Sequence, residues 1–451
     1  MTFPMPAPRP ALWPDHCPDH RPDRRQMLAA LAAAAAAPAA AQLPMGRPAP
    51  LRHDAVQSLI DAYVKEGRVP GAVVALIEPG AHRPAFLTAG VTMFGGTQKV
   101  TPDTLWRVYS MSKPITAWAV MQRVATGELA LDQPIAEHLP EFADMKVAID
   151  PAMGLEARPA AQPITVRHLL THTAGFTYAI SGNGPLEREY KRLGIQPGSV
   201  PGFLRPGEGA LPDLQAMAAF LAGVPLALDP GTAWKYSVSL DVAGALLERI
   251  TGETFDRVLD RQLFGPLGMA STGFWARDAS RLAGNYLWVD QKTGQPATTP
   301  TPVMPVEKDG FTTRPRLLSG GGGIVSSARD YARFAQMVLN EGDFAGRRIV
   351  PAGTAQLALS NLLPPGVFYE GRNGYAAGGR LTLFDTRTRT PTGPSGGPAL
   401  IYGWGGAAGT LFVVDRVRQF AMVAMLQFMP LSRFPFEPDM GLALARDADG
   451  R

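Results

Sequence analysis

A serine and a lysine three residues apart form a pair that could do nucleophilic chemistry. They are Ser110 and Lys113, in the stretch WRVYSMSKPIT (residues 106–116). A serine hydroxyl is a poor nucleophile until a base takes its proton. A lysine amine can act as that base when burial disfavours its charged form. The pair therefore predicts a serine that attacks carbonyl groups and carries the acyl group covalently.

The helix that positions this pair is expected to begin close to Ser110. Pro114 is tolerated in the first turn of a helix but not in its interior, and the apolar pattern continues to about Thr126. A spacing of three places the two side chains on one helical face, and the helix N-terminus favours an oxyanion that develops beside it. Ser-x-x-Lys also fits a helix cap followed by a solvated lysine, with Ser112 as an alternative cap. The mostly apolar surroundings favour a buried lysine.

Strand patterns lie near both ends of the chain, and helical patterns fill the middle. The strand-like runs are residues 72–77, 84–90, 409–414 and 420–426, with a hairpin pattern at 285–303. The helical runs include residues 53–65, 165–175, 327–342 and 438–445. We therefore predict an α/β (α+β) fold over residues 53–445. Its α/β lobe is assembled from about 53–107 and 310–445, and its mainly helical lobe from about 108–309.

The N-terminus carries the order of features that is typical of an export signal. Arg24 and Arg25 precede an alanine-rich apolar run at 29–37, and small residues follow at 39–41. The paired arginines resemble a twin-arginine signal, so residues 1–41 are predicted to be removed and residues 42–52 to be a proline-rich linker. The apolar run is too short to span a bilayer. We expect an exported, periplasmic or secreted protein with no stable membrane span after signal removal.

Composition and spacing exclude several other classes. The chain has 451 residues, of which 46% are hydrophobic and 18% are charged, and its net charge is +4. Its basic residues are not clustered, so no nucleic-acid partner is expected. Cys17 is the only cysteine, which rules out an intramolecular disulfide or a thiol-based metal cluster. His168 and His172 are four apart but lack the adjacent glutamate of a zinc motif. We expect neither a metal nor an organic cofactor.

Several stretches together resemble the serine β-lactamase and penicillin-binding-protein superfamily, and the branch of β-lactamase-like carboxylesterases (family VIII esterases) most of all. The similarity covers about residues 53–430. The stretches that carry it are residues 105–116, 164–175, 234–244, 320–331 and 403–415. The resemblance implies a β-lactamase/transpeptidase-like fold, with an antiparallel sheet flanked by helices and the site between sheet and helical lobe. It also implies a small-molecule ester or β-lactam-like substrate.

The resemblance assigns a tyrosine beside the serine and the lysine. In the family, its hydroxyl relays the proton to the leaving group, and Tyr236 in WKYSVSLDV (residues 234–242) matches that position. β-Lactamases and peptidases commonly carry asparagine two residues later, whereas this chain has Val238. Tyr-Ser-x, with Asp241 following, is common in the esterase branch. A core tyrosine that precedes a helix from Ser239 is the alternative interpretation.

A Trp-Gly-Gly sequence stands where the wider family has Lys-Thr-Gly. It consists of Trp404, Gly405 and Gly406, and glycines let a substrate backbone lie close to an edge strand. The resemblance implies an oxyanion hole built from the amides of Ser110 and Ala407. The family lysine normally binds a substrate carboxylate, so an apolar tryptophan favours a neutral ester. Together with Tyr109, the Trp-Gly-Gly residues are predicted to contact the substrate.

Two other sequences imitate catalytic motifs. Residues 292–294 spell Lys-Thr-Gly, but they follow Asp290 between two strand patterns and are typical of a turn. Residues 393–397 match Gly-x-Ser-x-Gly around Ser395, but the flanking Pro391 and Pro398 do not fit the strand and helix that such an elbow needs. Both are interpreted as loops.

The resulting hypothesis is a serine hydrolase that acts on carboxylic esters through an acyl-enzyme on Ser110. A β-lactamase or a D-alanyl-D-alanine carboxypeptidase is the alternative enzyme. A catalytically silent penicillin-binding or sensor protein is the alternative without turnover, although Ser110, Lys113 and Tyr236 are all present. The sequence does not fix the acyl chain, the choice between water and an alcohol as acceptor, or the oligomeric state.

Overall fold

The frame of the protein is a seven-stranded antiparallel sheet built from both ends of the chain. In this computed structural model its strand order is β11-β12-β13-β14-β15-β1-β2. The strands of the chain are β1 (Gly71–Ile77), β2 (Ala85–Gly90), β3 (Leu105–Arg107), β4 (Lys146–Ala148), β5 (Ala157–Pro159), β6 (Tyr286–Val289), β7 (Pro296–Pro302), β8 (Val325–Ser327), β9 (Asp343–Phe344), β10 (Arg347–Arg348), β11 (Gly374–Ala376), β12 (Gly379–Thr382), β13 (Ile401–Gly405), β14 (Leu411–Asp415), β15 (Phe420–Met425) and β16 (Phe428–Met429). The predicted fold class is confirmed.

The helices are α1 (Asp54–Lys65), α2 (Ser112–Ala125), α3 (Val166–Leu170), α4 (Pro185–Arg192), α5 (Leu214–Ala222), α6 (Ser239–Thr251), α7 (Phe255–Leu259), α8 (Gly265–Leu267), α9 (Ala328–Leu339), α10 (Ala352–Ala358) and α11 (Phe436–Asp449). Short 3₁₀ turns lie at Tyr109–Met111, Ile135–Glu137, Pro140–Phe142, Ala279–Arg281 and Leu431–Arg433, and a π-turn lies at Asp260–Phe264. Within the described ranges, no helix combines the length and the apolar character that crossing a membrane requires.

The structure describes residues 53–80, 83–195, 211–290, 293–303, 310–371, 373–382 and 401–449. The predicted signal and linker (residues 1–52), Lys292 and the Gly-x-Ser-x-Gly sequence at 393–397 lie outside these ranges. The chain from His53 to Arg451 forms one compact unit.

Strand β1 lies next to the edge strand β2 and is apolar on both faces. All seven of its residues are buried, and it pairs with β15 on one side and β2 on the other. Side chains alternate across a strand, so Val74 packs in the cluster formed with α1 and α11, while Val73 packs in the cluster that contains α2 and α9. The sheet therefore separates two helical layers.

Helix α2 fills the layer on the catalytic side. Residues Ser112 to Met121 are all buried, as expected for a helix that is apolar all round and packed inside a protein. The helix follows the 3₁₀ turn Tyr109–Met111, which confirms the predicted start close to Ser110. Ser112 does not cap the helix; its Oγ instead accepts a hydrogen bond from the amide of Ile324 at 3.1 Å.

Three segments differ from the sequence-based expectations. The helix expected over 165–175 ends at Leu170, because His172 adopts a left-handed backbone (φ 56°) that breaks it. The glycines and prolines of residues 181–209 predict a loop, but the part of this segment that the structure describes contains α4. Strands β11 to β13 were not expected, because they are short and interrupted by glycines, which weaken a strand pattern.

Helix α3 contains a histidine whose protonation would cost stability. Thr165 and His168 form a reciprocal capping box, in which His168 Nδ1 accepts from the amide of Thr165 at 3.2 Å. Burial lowers the pKa of His168 to about 4. Both states are neutral above the unfolded pKa of 6.5. As the pH falls from 6.5 to 4, His168 becomes protonated in the unfolded chain but stays neutral in the folded protein. Protonation therefore stabilises the unfolded state relative to the folded state.

We therefore expect His168 to reduce the free energy of unfolding by up to about 3 kcal/mol between pH 6.5 and pH 4. Urea denaturation of the wild type and of His168→Gln across this range measures the effect. Glutamine at this position keeps an acceptor for the capping box but does not titrate. The variant should lose less stability than the wild type, and an identical pH dependence in both proteins would refute the assignment.

Candidate active site

Ser110 is presented by a strained turn between a short strand and a buried helix. Strand β3 pairs with β8, and the amide of Val108 donates to the carbonyl of Ile324 at 3.0 Å, which fixes the chain just before the turn. Tyr109 then adopts a left-handed backbone with φ of 43°. Such backbones cost energy and are retained where the surroundings enforce them. The turn leaves Ser110 half-buried at the start of α2.

The side chain of Tyr109 is held away from solvent. Its hydroxyl accepts a hydrogen bond from Nδ2 of Asn285 at 2.8 Å, and its ring meets Phe311 edge-on with centroids 5.8 Å apart. Only 5% of the residue is exposed, and Ala407 packs against the same apolar cluster. These contacts anchor the turn that carries the serine. Direct contact of Tyr109 with a substrate stays a prediction.

Lys113 lies beneath Ser110 with none of its surface exposed. Its Nζ donates to the carbonyl oxygen of Gly321 at 2.6 Å and to Ser110 Oγ at 3.2 Å. The nitrogen also lies 4.5 Å from the centre of the Tyr236 ring. The expected burial of this lysine is therefore present, and the Gly321 carbonyl fixes its direction.

The hydroxyl of Tyr236 also contacts the Ser110 Oγ that Lys113 contacts. The hydroxyl donates to this oxygen at 2.6 Å. The segment before α6 is pinned by backbone bonds from Lys235 to His172 at 2.9 Å and from Val238 to Thr177 at 3.3 Å. Tyr236 is thus half-buried just before α6 rather than a core tyrosine, and its hydroxyl contacts the serine.

His172 supports the ring of Tyr236 from below. The two ring centres are 4.8 Å apart, and His172 Nδ1 lies 3.1 Å from Ser237 Oγ. Burial lowers the pKa of His172 well below its usual value, and the charge of Lys113 acts in the same direction. The imidazole is therefore neutral, and its Nδ1 faces Ser237 Oγ. It belongs to the scaffold of the site.

The Trp-Gly-Gly sequence forms the end of strand β13 beside the serine. The Trp404 ring lies 5.9 Å from Tyr236 and 5.3 Å from Tyr375, within an aromatic wall that also includes Trp234 and Tyr369. Gly405 is the last residue of the strand, and the amide of Gly406 donates to the carbonyl of Thr410 at 2.8 Å.

The backbone beyond the strand turns beside the nucleophile. An added Cβ at Gly406 would overlap the carbonyl oxygen of Val108, two residues before Ser110. The next residue, Ala407, makes no hydrogen bond through its amide within the described part of the chain. The backbones that carry the two predicted oxyanion donors, Ser110 and Ala407, therefore pass close to each other.

Two residues that sequence reasoning did not assign to the site lie directly behind Lys113. Gly321 supplies the carbonyl that holds the lysine, and Asp241 accepts a hydrogen bond from the Gly321 amide at 3.1 Å. The sequence carried a signal for both, since the stretches 234–244 and 320–331 carry the family resemblance. A backbone carbonyl, however, is not recognisable from a residue type.

The described part of the Lys-Thr-Gly sequence, Thr293 and Gly294, lies in the turn between β6 and β7, as predicted. The amide of Thr293 donates to Oδ1 of Asp290 at 3.0 Å, and Gly294 has a left-handed φ of 71°. Among the described residues, no three His, Cys, Asp or Glu side chains lie together as metal ligands would.

The fold and this group of side chains define a serine hydrolase. A family model described as "Beta-lactamase" matches residues 56–446, and the chain therefore belongs to the β-lactamase family, with its β-lactamase/transpeptidase-like fold. Esterase EstB of Burkholderia gladioli is 32% identical over 383 residues, which cover 80% of this chain and 86% of the relative. Lovastatin esterase of Penicillium rubens is 27% identical and covers 82% and 92% of the two chains.

A solved structure gives the same result for the fold. EstCE1, described as a hydrolase with promiscuous acyltransferase activity, superposes with a TM-score of 0.69 at 25% identity. The superposition covers 87% of this chain and 97% of that one. The predicted resemblance to β-lactamase-related esterases is confirmed.

Proposed function

We propose that this enzyme hydrolyses neutral carboxylic esters through an acyl-enzyme on Ser110. The observation that carries the proposal is the convergence of Lys113 Nζ and Tyr236 hydroxyl on Ser110 Oγ, at 3.2 and 2.6 Å. Both distances lie within the range of direct proton transfer. The naming of two relatives as esterases supports the same class of substrate.

In the acylation step, Ser110 Oγ attacks the ester carbonyl carbon and gives its proton to Lys113, which acts as the base. Its amine can keep one N–H on the Gly321 carbonyl, at 2.6 Å, while its lone pair faces the serine. The carbonyl oxygen becomes an oxyanion that the amides of Ser110 and Ala407 stabilise. Collapse of this intermediate breaks the bond to the alkoxide, which takes a proton delivered through Tyr236.

In the deacylation step, a water molecule attacks the acyl carbon. Its proton passes to the Lys113 and Tyr236 pair, the same oxyanion forms, and the bond to Ser110 Oγ breaks. The serine recovers its proton, and the acid is released. Atoms balance over the cycle, because one ester and one water give one acid and one alcohol, and the protein needs no cofactor for these steps.

The aromatic wall favours a substrate without a carboxylate next to the scissile bond. By the family resemblance, Trp404 stands where a lysine would bind such a group, and its neighbours Tyr236, Tyr369 and Tyr375 are also aromatic. An apolar wall gains from burying an uncharged acyl or alcohol group, whereas an unpaired carboxylate there would lose its hydration.

Acyl transfer to an alcohol is a second candidate for the same site. It differs only in the acceptor, because an alcohol in place of water attacks the acyl-enzyme and yields a new ester. The aromatic wall could bind an apolar alcohol, and EstCE1 is described as having acyltransferase activity. Product analysis with added alcohol separates the two acceptors.

The proposed activity predicts that p-nitrophenyl acetate and butyrate are turned over many times, while nitrocefin is cleaved at least about 100-fold less efficiently. A missing favourable charge contact at a buried site is worth about this factor. The measurement is kcat/KM for all three substrates with the same preparation. Faster cleavage of nitrocefin would favour the β-lactamase interpretation, and one stoichiometric burst without turnover would favour a silent penicillin-binding protein.

A further inference from the structure

Gly322 is a buried glycine in the loop beside the catalytic lysine. The loop consists of four consecutive glycines, residues 320–323, and the carbonyl of Gly321 accepts the 2.6 Å hydrogen bond from Lys113 Nζ. All four glycines are buried. A buried position calls for glycine where the backbone is left-handed or where a neighbouring atom occupies the place of a Cβ. Each reason can be checked at each position.

The packing explains the other three glycines of the loop. An added Cβ at each of them would overlap a neighbouring atom. The overlapped atoms are the carbonyl oxygen of Leu240 at Gly320, Oδ2 of Asp241 at Gly321 and the carbonyl oxygen of Ser319 at Gly323. These three residues lack side chains because their surroundings leave no room for one.

Neither reason applies to Gly322. Apart from its two chain neighbours, no atom of the described structure lies within 4 Å of a Cβ added there. Gly322 is also not among the glycines with a left-handed backbone, so its conformation suits any residue. The position is buried and yet faces open space, which means that it borders a recess. We call this space the Gly322 recess.

The Gly322 recess lies beside the segment that carries the nucleophile. The residue before Gly322 holds Lys113 Nζ through its carbonyl at 2.6 Å. The carbonyl of Ile324, two residues after Gly322, accepts from the amide of Val108 at 3.0 Å. Val108 and Lys113 stand on either side of Ser110 in the chain. Both ends of the Gly322 turn are therefore tied to the backbone and side chain that position the serine.

The two halves of an ester need separate room around Ser110. Tyr236 delivers the proton to the departing alkoxide in the proposed mechanism, so the alcohol half lies toward Tyr236 and the aromatic wall that includes Trp404. Gly322 does not belong to that wall. Its loop contacts the serine segment through Lys113 instead. The recess is thus placed for the acyl half of the ester.

We propose that Gly322 is a specificity-determining residue, and that the recess it leaves open accepts acyl groups that are branched or carry a ring. The inference rests on the proposed function, in which Ser110 carries the acyl group. An apolar branch gains from leaving water for such a recess. The free volume in front of Gly322 then limits how wide the acyl group can be, as pocket shape does in other enzymes.

The test is to fill the recess stepwise with Gly322→Ala and Gly322→Val. We expect kcat/KM for p-nitrophenyl trimethylacetate, whose acyl group is branched, to fall by about 10-fold with alanine and about 100-fold with valine. The value for p-nitrophenyl acetate should stay within about threefold of the wild type, because a methyl group does not reach the recess. An equal loss for both esters would overturn the proposal, since a purely structural role predicts it.

A second pair of substrates separates the acyl half from the alcohol half. Phenyl acetate and 1-naphthyl acetate share the small acyl group and differ in the size of the alcohol. The ratio of their kcat/KM values should be the same in the wild type and in both variants. A ratio that changes with the side chain at position 322 would place the alcohol in the recess and overturn the assignment.

The matched control is Gly353→Val. Gly353 lies exposed on α10, has no atom of the described structure within 4 Å of an added Cβ, and is also not left-handed. Its replacement should leave the ratio between the two p-nitrophenyl esters unchanged, and a shift equal to that of Gly322→Val would refute the inference. Thermal unfolding checks the fold of each variant, and Gly322→Ala carries the test if Gly322→Val does not fold.

The wild type separates failure of this inference from failure of the proposed function. A wild type that turns over neither p-nitrophenyl ester would refute the proposed function. Turnover of the acetate without measurable turnover of the trimethylacetate would refute this inference alone, because the recess would then not admit a branched acyl group. Turnover of both esters with an unchanged ratio in the two Gly322 variants would refute it as well.

Discussion

Replacement of Ser110 by alanine is expected to lower kcat/KM for p-nitrophenyl butyrate by at least about 10⁴-fold while the fold persists. Loss of the nucleophile in a serine hydrolase has an effect of this order, because the acyl-enzyme cannot form. The side chain is half-buried and small, and the methyl group of alanine fits the same space. The comparison needs initial rates together with thermal unfolding of both proteins.

A covalent readout makes this test specific. Mass spectrometry of the wild type after mixing with a slowly deacylated ester should show the added mass of one acyl group on the peptide that contains Ser110, and none in the variant. Ser395→Ala is the control, since Ser395 lies in the other serine motif of the sequence and should keep full activity. If Ser110→Ala remained fully active while Ser395→Ala lost activity, the nucleophile would have been assigned to the wrong serine.

The pairing of Ser110 with Lys113 was predictable because the two residues are close in the sequence. Ser110 and Lys113 are separated by one helical turn, so residue types and spacing alone place them on one face. Tyr236 is 126 positions away, and the sequence assigns it only through the family resemblance. The role of the Gly321 carbonyl could not be predicted from the sequence. Every residue has a carbonyl, and only the tertiary fold brings this one to Lys113.

The sheet shows the same division between strong and weak patterns. Strand β1 is a continuous apolar run and was expected, as was β2 beside it. Strand β13 was missed, although it carries Trp404, because two of its five residues are glycines. Glycine lowers β-propensity, and the residue that follows the strand, Gly406, passes so close to the carbonyl oxygen of Val108 that a side chain has no room there. The sequence pattern that indicates a strand is therefore weak in β13, which leads into the close backbone approach beside Ser110.

That close approach can be tested with two adjacent glycines. Gly406→Ala is expected to lower kcat by about 10²- to 10³-fold and to reduce the free energy of unfolding by about 1–3 kcal/mol. The added Cβ would overlap the carbonyl oxygen of Val108 and Oγ1 of Thr410, both of which are held within the core. The backbone must move to relieve these contacts, and the Ala407 amide moves with it. Stopped-flow acylation rates and urea denaturation measure the two effects.

Gly405→Ala is the matched control for this prediction. Its Cβ would meet the carbonyl of Thr410 at 3.5 Å and Cδ1 of Leu411 at 4.0 Å, which are ordinary contacts. Neither glycine is among the residues with a left-handed backbone, so alanine is conformationally allowed at both and only the space around them differs. Gly405→Ala should therefore stay within about threefold of the wild-type kcat. Equal losses in the two variants would mean that the motif acts by binding the substrate at both positions. A loss confined to Gly406→Ala would mean that it acts by placing the Ala407 amide beside Ser110.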